Sequence, residues 1–210
     1  DFMKVFDLTQ KICESMQVYP DTETPKLAEC NSYDADGFRE TYLQMSSHTG
    51  THMDAPAHMN PAGKTLDMKE ASEFCGKAYV LDCRGAACVS KAMLQAAELS
   101  DVEFLLLCTG HGGKWGQPDY FEGFPVLTED AALYAASLGL KGIGVDAISV
   151  DPVSGSNFPV HDILFANDMV SIENLCGLER FCGKTVFFAA LPLRFENSDG
   201  SPVRAIIIEA

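Results

Sequence analysis

The residues best suited to chemistry are histidines, three of which fall in one short segment, His48-Thr-Gly-Thr-His52-Met-Asp54-Ala-Pro-Ala-His58. Gly50 and Pro56 disfavour an uninterrupted helix, so the four-residue step from His48 to His52 is not a helical turn. In an extended chain, positions 48, 52, 54 and 58 have the same parity and share a face, at least as far as Pro56. The segment therefore predicts an extended loop that points imidazoles and a carboxylate at one centre.

Imidazole nitrogens and a carboxylate, without a thiolate, are the ligand set of Zn, Mn, Fe or Co in a site that keeps a water. A divalent ion there would turn its water into hydroxide near neutral pH and polarise a carbonyl. His58 is a natural proton carrier for the leaving group because an imidazole titrates near neutral pH. The plain alternative is that these are surface or core histidines without a ligand role.

A second stretch, His161 to Leu175, contains another imidazole and several carboxylates. Glu173 lies next to apolar positions, where an unpaired carboxylate would be costly to bury and a metal would remove that cost. Alone the signal is weak, since Glu173 also fits a solvated charge and His161 an ordinary loop residue.

Other polar residues are expected to be structural. The eight cysteines include no pair with the two-residue spacing of a zinc or redox motif, and they are expected to be reduced and inert, a reactive cysteine being the alternative. In the loop after Cys108, His111 is expected not to be a ligand, with a substrate contact as the alternative, and Trp115 is a candidate pocket wall. Asp146 and Asp151 are expected in structural turns.

The composition limits the class of partner. Lys and Arg total 15 against 30 Asp and Glu, a formal charge of −15, which disfavours nucleic acid and anionic membrane surfaces. Apolar residues make up 47% and charged residues 21%, as in a globular protein. The apolar runs are strand-sized, and no basic segment precedes an apolar one at the N-terminus, so we expect a cytoplasmic protein.

Elements that position the histidines follow from hydrophobic patterns. The patterns predict strands at Lys4–Leu8, Phe38–Ser46, Ala78–Cys83, Glu103–Cys108, Gly142–Asp146, Thr185–Leu191 and Val203–Glu209, and helices at about Ser90–Leu99 and Thr128–Leu138. Three strands joined by two helices imply parallel βαβ crossovers. We therefore predict one α/β domain over residues 1–210, with a first half mainly of strand and loop.

The histidine segment resembles the signature of the "Putative cyclase" family of metal-dependent hydrolases, which includes bacterial kynurenine formamidase and isatin hydrolase. The likeness continues through Gly144–Pro152, His161–Leu175, Ala190–Arg194 and Asp199–Arg204. The resemblance implies the swivelling β/β/α fold of that family. It also implies a homodimer or higher homo-oligomer in which a neighbouring subunit contributes to the pocket.

The resemblance further implies two divalent metal ions per chain, Zn or Mn. One ion would be held by His48, His52 and Asp54, and the second by Asp54, His161 and Glu173, with both carboxylates as bridges. His58 would be the general acid/base.

The implied activity is hydrolysis of a C–N amide bond by metal-bound hydroxide, in an aryl formamide like N-formylkynurenine, as part of tryptophan catabolism. Formamidases of the family typically place a Trp before a Pro-Gly-Asp-like turn, where it contacts the aryl group. Here Tyr19 stands at that place, before Pro20-Asp21-Thr22, so an aromatic stack is retained while the turn differs.

Three alternative functions remain open. The same hydroxide and proton carrier would open an isatin-type cyclic amide or a lactone. His48, His52 and Asp54 also match the two-histidine, one-carboxylate site of a single-metal Fe(II) oxygenase, which would leave His161 and Glu173 without a role. A non-catalytic metal-binding module is the third.

Overall fold

The structure is a computed structural model that describes residues 3–209. Its strands are β1 (Lys4–Asp7), β2 (Lys26–Asn31), β3 (Glu40–Gln44), β4 (His52–Asp54), β5 (Cys75–Asp82), β6 (Phe104–Cys108), β7 (Gly142–Val145), β8 (Val170–Glu173), β9 (Thr185–Pro192) and β10 (Gly200–Glu209). Its α-helices are α1 (Tyr33–Asp36), α2 (Lys91–Ala96), α3 (Glu129–Ser137) and α4 (Pro159–Ala166).

The main sheet closes on itself because β10 pairs with strands at both ends of it. Gly200–Pro202 pairs antiparallel with β4, and Val203–Ile208 pairs antiparallel with β9. The order β4-β8-β7-β6-β5-β9-β10 therefore forms a seven-stranded barrel, to which β1 adds along the end of β10. A closed barrel leaves fewer open strand edges than a flat sheet would.

The barrel interior is filled by alternate residues of its strands, as the period of two requires. They include Met53, Val80, Leu106, Ile172, Phe188 and Ala205, all buried. Strand β7 contributes glycines instead, because the space is already taken: a Cβ added at Gly142 would lie 2.6 Å from Cγ2 of Val170.

A helical layer covers one outer side of the barrel. Outward residues of β6 and β7, such as Leu105 and Ile143, pack in one apolar cluster with residues of the helices, among them Leu94, Ala131 and Leu164. Strands β5, β6 and β7 are mutually parallel, with α2 and α3 between them. The predicted βαβ crossovers are thus confirmed.

An exposed hairpin stands apart from the barrel. Strands β2 and β3 pair only with each other, and α1 joins them. The pattern over Phe38–Ser46 predicted β3, but β2 was not predicted because its six residues carry no clear alternation and lie mostly exposed. In residues 3–209, no helix has the length and apolar character needed to cross a membrane.

Candidate active site

Four of the five expected ligands lie on three elements that meet outside the barrel wall, and the fifth, His48, lies in the loop before β4. Strand alternation turns His52 and Asp54 of β4 to one face, while Met53 between them is fully buried in the barrel interior. Antiparallel pairing sets His52 opposite Glu173 of β8. Helix α4, which also contacts β8, brings His161 to the same place. A local segment and a distant one therefore build one cluster.

Asp54 lies at the middle of the cluster. Its Oδ1 is 2.6 Å from Nδ1 of His48 and 3.2 Å from Nε2 of His52, and its Oδ2 is 3.7 Å from Nε2 of His161. Glu173 also faces two histidines, with Oε1 3.2 Å from Nε2 of His161 and Oε2 3.6 Å from Nε2 of His52. Two potential ligand triads result, one of His48, His52 and Asp54 and one of Asp54, His161 and Glu173.

The imidazoles are oriented as ligands of a cation would be. Nδ1–H of His52 donates to the Gly50 carbonyl at 2.9 Å, and Nδ1–H of His161 donates to Asp151 at 2.7 Å. These bonds leave the Nε2 lone pairs facing the carboxylates, an arrangement that metal-binding histidines commonly show. In residues 3–209, no Lys or Arg pairs with Asp54 or Glu173. The donor set therefore fits divalent metal ions such as Zn or Mn.

The charges of the cluster shift its pKa values strongly. Burial opposes a charge on His48, but the Asp54 carboxylate outweighs it and raises the pKa of His48 to about 9. For His161, burial is likewise outweighed by its bonds to carboxylates, Asp151 first, and its pKa lies well above the usual value. Burial raises the pKa of Glu173, whereas the neighbouring histidines hold the pKa of Asp54 well below its usual range despite burial. Without a cation, protons on the histidines supply the positive charge that balances the carboxylates.

Metal binding is therefore expected to release protons. His48 binds a metal only as the neutral imidazole, and its pKa of about 9 keeps it protonated at neutral pH. The apparent affinity for Mn²⁺ should rise as the pH increases from about 6.5 towards about 9. Calorimetric titration in two buffers of different ionisation enthalpy measures the released protons. A heat independent of the buffer at pH 7 would contradict the expectation.

His58 lies beside the cluster but outside both triads. It ends the short 3₁₀ turn Pro56–His58 that follows β4, and its ring centroid is 4.0 Å from that of His48. Partial burial lowers its pKa, so the ring is neutral near neutral pH. An imidazole of this kind can accept a proton and return it.

A cavity of about 330 Å³ opens onto the cluster. Tyr19 lines it, and so do Phe158, Ile148 and Met59, whereas His48, His58 and Glu173 provide polar groups. Apolar walls with a few convergent polar groups are typical of small-molecule sites.

Three residues that support the cluster were not predicted as part of it. Asp151, expected in a turn, also accepts from the backbone N–H groups of Val160 and His161 at the start of α4. Asp199 faces His48 with Oδ2 3.1 Å from Nε2. Gly200 makes room for the same ring, since an added Cβ would lie 2.4 Å from Cε1 of His48. Their only sequence signal was the stretch of family likeness around them.

His111 and Asp146 make structural contacts, as expected, whereas Trp115 does not form the pocket wall for which it was a candidate. His111 donates from Nε2 to the Tyr120 carbonyl at 2.6 Å and belongs to neither triad. Asp146 accepts from the backbone N–H groups of Thr109 and Gly110. Trp115 packs on Tyr120 and does not line the cavity. All eight cysteines are free.

Comparison with known proteins identifies the family. The family model described as "Putative cyclase" matches residues 6–152. The chain belongs to this cyclase family. It is 32% identical over 202 residues to a kynurenine formamidase of Bacillus cereus, an alignment that covers 96% of this chain and 95% of the relative. It is 37% identical over 166 residues to a kynurenine formamidase of Bacillus thuringiensis, covering 79% and 78%.

Solved structures confirm the expected cyclase fold. A structure described as a predicted metal-dependent hydrolase from Bacillus stearothermophilus is 27% identical, with a TM-score of 0.84 and full coverage of both chains. An isatin hydrolase bound to thioisatinate has a TM-score of 0.89 at 24% identity and covers 99% of this chain and 92% of its own. At that identity the second likeness concerns the fold alone. The α/β fold predicted for this cyclase-family protein is thus confirmed.

Proposed function

We propose that this cyclase-family protein is a metal-dependent hydrolase that cleaves the C–N bond of an aryl formamide. The observation that carries the proposal is the meeting of two potential ligand triads at Asp54, with His58, a member of neither, beside them in a cavity. The two relatives named kynurenine formamidase align with most of the chain and support the same activity.

In this proposal the two triads hold two divalent ions, Zn or Mn, and share Asp54. When bound, such ions lower the pKa of a coordinated water and polarise the substrate carbonyl. Asp151 and the Gly50 carbonyl fix the orientation of His161 and His52, so that the ligands need little rearrangement. Glu173 connects the two triads through its contacts with both histidines.

His58 moves the proton. Its neutral ring accepts a proton from the water that attacks the formyl carbon and gives it to the nitrogen as the C–N bond breaks, because that nitrogen would otherwise leave as a poor, anionic group. The position of His58 at the cavity wall, beside the triads and outside them, suits this task.

Tyr19 binds the aryl group in this proposal. Its ring lies at the cavity wall with Phe158 and Ile148, which suits stacking on an aromatic substrate. Tyr19→Ala is expected to raise KM for an aryl formamide by about 10-fold with little change in kcat, because the lost contact is equal in the ground and transition states. Tyr19→Phe, which keeps the ring, should stay close to the parent enzyme in steady-state kinetics. A fall in kcat alone would argue against an aryl-binding role.

Homo-oligomerisation is part of the proposal. The hairpin β2–β3 and its connection leave the large apolar side chains of Tyr33, Phe38, Tyr42 and Leu43 exposed, and a second copy of the chain would cover them. The free cysteines agree with a reducing cytoplasm, where a kynurenine formamidase would act in tryptophan catabolism.

A substrate panel with metal analysis tests the activity. One preparation is assayed for metal content and for turnover of N-formylkynurenine, formanilide, isatin and a lactone, without oxygen. We expect two metals per chain and fastest turnover of a formamide. Faster opening of isatin or the lactone would reassign the substrate within the hydrolases. A strict need for oxygen would indicate the Fe(II) oxygenase, and inertness of the fully metallated protein towards the panel a binding module.

A further inference from the structure

A carboxylate outside both triads faces two histidines of the site. Asp199 precedes β10, and its Oδ2 lies 3.1 Å from Nε2 of His48 and 3.9 Å from Nδ1 of His58. The first distance is a hydrogen bond, and the second is a charge contact too long for one. Asp199, His48 and His58 thus form a further group whose ligand atoms are close enough to hold a cation, more exposed than the two triads.

The backbone around Asp199 is fixed to the strand that carries the ligands. The Asp199 carbonyl accepts from the N–H of Ala55 at 2.8 Å, and the next residue, Gly200, pairs with Asp54 in the sheet. The missing Cβ of Gly200 lets the His48 ring lie against this turn. The backbone of Asp199 is therefore held in place, and its side chain is 46% exposed.

The bond to Asp199 determines how His48 presents its two nitrogens. The ring lies between two carboxylates, with Nε2 3.1 Å from Asp199 and Nδ1 2.6 Å from Asp54, so the bond to Asp199 turns Nδ1 towards the place where Asp54 would share a cation. The His58 ring packs against that of His48, with centroids 4.0 Å apart and planes inclined by 36°. In residues 3–209, Asp199 is the one carboxylate within 4.0 Å of a His58 nitrogen.

We propose that Asp199 is a positioning residue that holds the adjacent rings of His48 and His58 in the orientation needed for proton transfer to the leaving nitrogen. The inference rests on the role proposed for His58. Asp199 itself does not touch the substrate in this account. It acts through its carboxylate oxygen Oδ2, which lies within hydrogen-bond distance of Nε2 of His48.

The central experiment compares leaving groups at full metal loading. Asp199→Ala should lower kcat for formanilide by about 10- to 100-fold with little change in KM, as losses of partners behind site histidines commonly do. The loss should be much smaller for 4-nitroformanilide, whose anilide leaves with less help from a proton. Asp199→Asn keeps an acceptor oxygen and should recover most of kcat. Asp199→Leu, similar in size, should repeat the alanine result and exclude a mere volume effect.

A second readout does not depend on turnover. Competition with a chelator should show weaker Mn²⁺ binding in Asp199→Ala, by roughly 10-fold, because His48 loses its orienting bond. Glu196→Gln is the matched control, since Glu196 lies exposed in the same loop between β9 and β10, and the change should alter neither binding nor kcat. Unchanged Mn²⁺ binding, an equal loss for both anilides, or an asparagine variant no better than alanine would overturn the inference.

A double variant separates this inference from the function on which it rests. If Asp199 acts through His58, adding Asp199→Ala to His58→Ala should cause no further loss of kcat. Fully additive losses would overturn the inference alone. Undiminished turnover by His58→Ala would instead overturn the role proposed for His58, whatever Asp199 does.

Discussion

Replacing His58 with alanine is expected to lower kcat for an aryl formamide by about 10²- to 10⁴-fold, the range that proton transfer usually contributes. His58 belongs to neither triad around Asp54, so the variant should bind as much metal as the parent protein. Its ring is only partly buried, and its removal should leave the barrel intact. Steady-state kinetics and metal analysis of the same preparation measure both effects.

The leaving group again provides the control for His58→Ala. A 4-nitroanilide needs less protonation than an anilide, so the loss should shrink for 4-nitroformanilide. Thermal unfolding should match the parent. Loss of metal in His58→Ala would make this residue a ligand, and full turnover with metal bound would remove its role as proton carrier.

Asp54→Asn is expected to have the largest effect of any single ligand change. Its two oxygens face His48 and His52 on one side and His161 on the other, so both triads depend on it. An amide has no charge to bind a cation and presents only one acceptor oxygen. Metal content after dialysis should fall close to zero, and activity by at least about 10³-fold.

Two other variants show whether Asp54 is shared. Glu173→Gln should release one ion more readily than the other, because Glu173 is a member of one triad and reaches the other only through its 3.6 Å contact with His52. Asp67→Asn is the matched control, since Asp67 bonds to Ser198 and no histidine and should leave metal content unchanged. Retention of one tightly bound ion by Asp54→Asn would contradict a carboxylate shared by two sites.

The local half of the site could be predicted from the residues themselves. His52 and Asp54 share a face because they lie two apart on a strand, and parity is a property of the sequence. Their meeting with Glu173 depends on the pairing of β4 with β8, which have only three and four residues. Strands this short carry no readable period, so the residues alone gave only a weak signal for Glu173, and the family likeness was needed to group it with His52 and Asp54.

The lack of a readable pattern also explains why helix α4 and the contacts of Asp151 and Asp199 were not predicted. Strands β5 to β7 were predicted because their apolar runs are long and joined by helices. Helix α4 begins with Pro159 and carries His161 where a purely structural helix would place an apolar residue. Asp151 was predicted in a structural turn, and no role was predicted for Asp199. Their contacts with histidines depend on neighbours that are distant in sequence.

Because β10 closes the barrel, the site is complete only after this strand has paired during folding. This strand is the last one in residues 3–209, and it pairs with β1, β4 and β9, bringing Glu209 opposite Lys4. Contacts between residues so far apart along the chain are expected to form late in folding, because closing a long loop costs more entropy. Since Asp199 and Gly200 arrive with this strand, a partly folded chain would hold its histidines without their final support. Only the completely folded barrel would then bind metal with full affinity. A chain still being synthesised on the ribosome would acquire this affinity only after β10 had emerged.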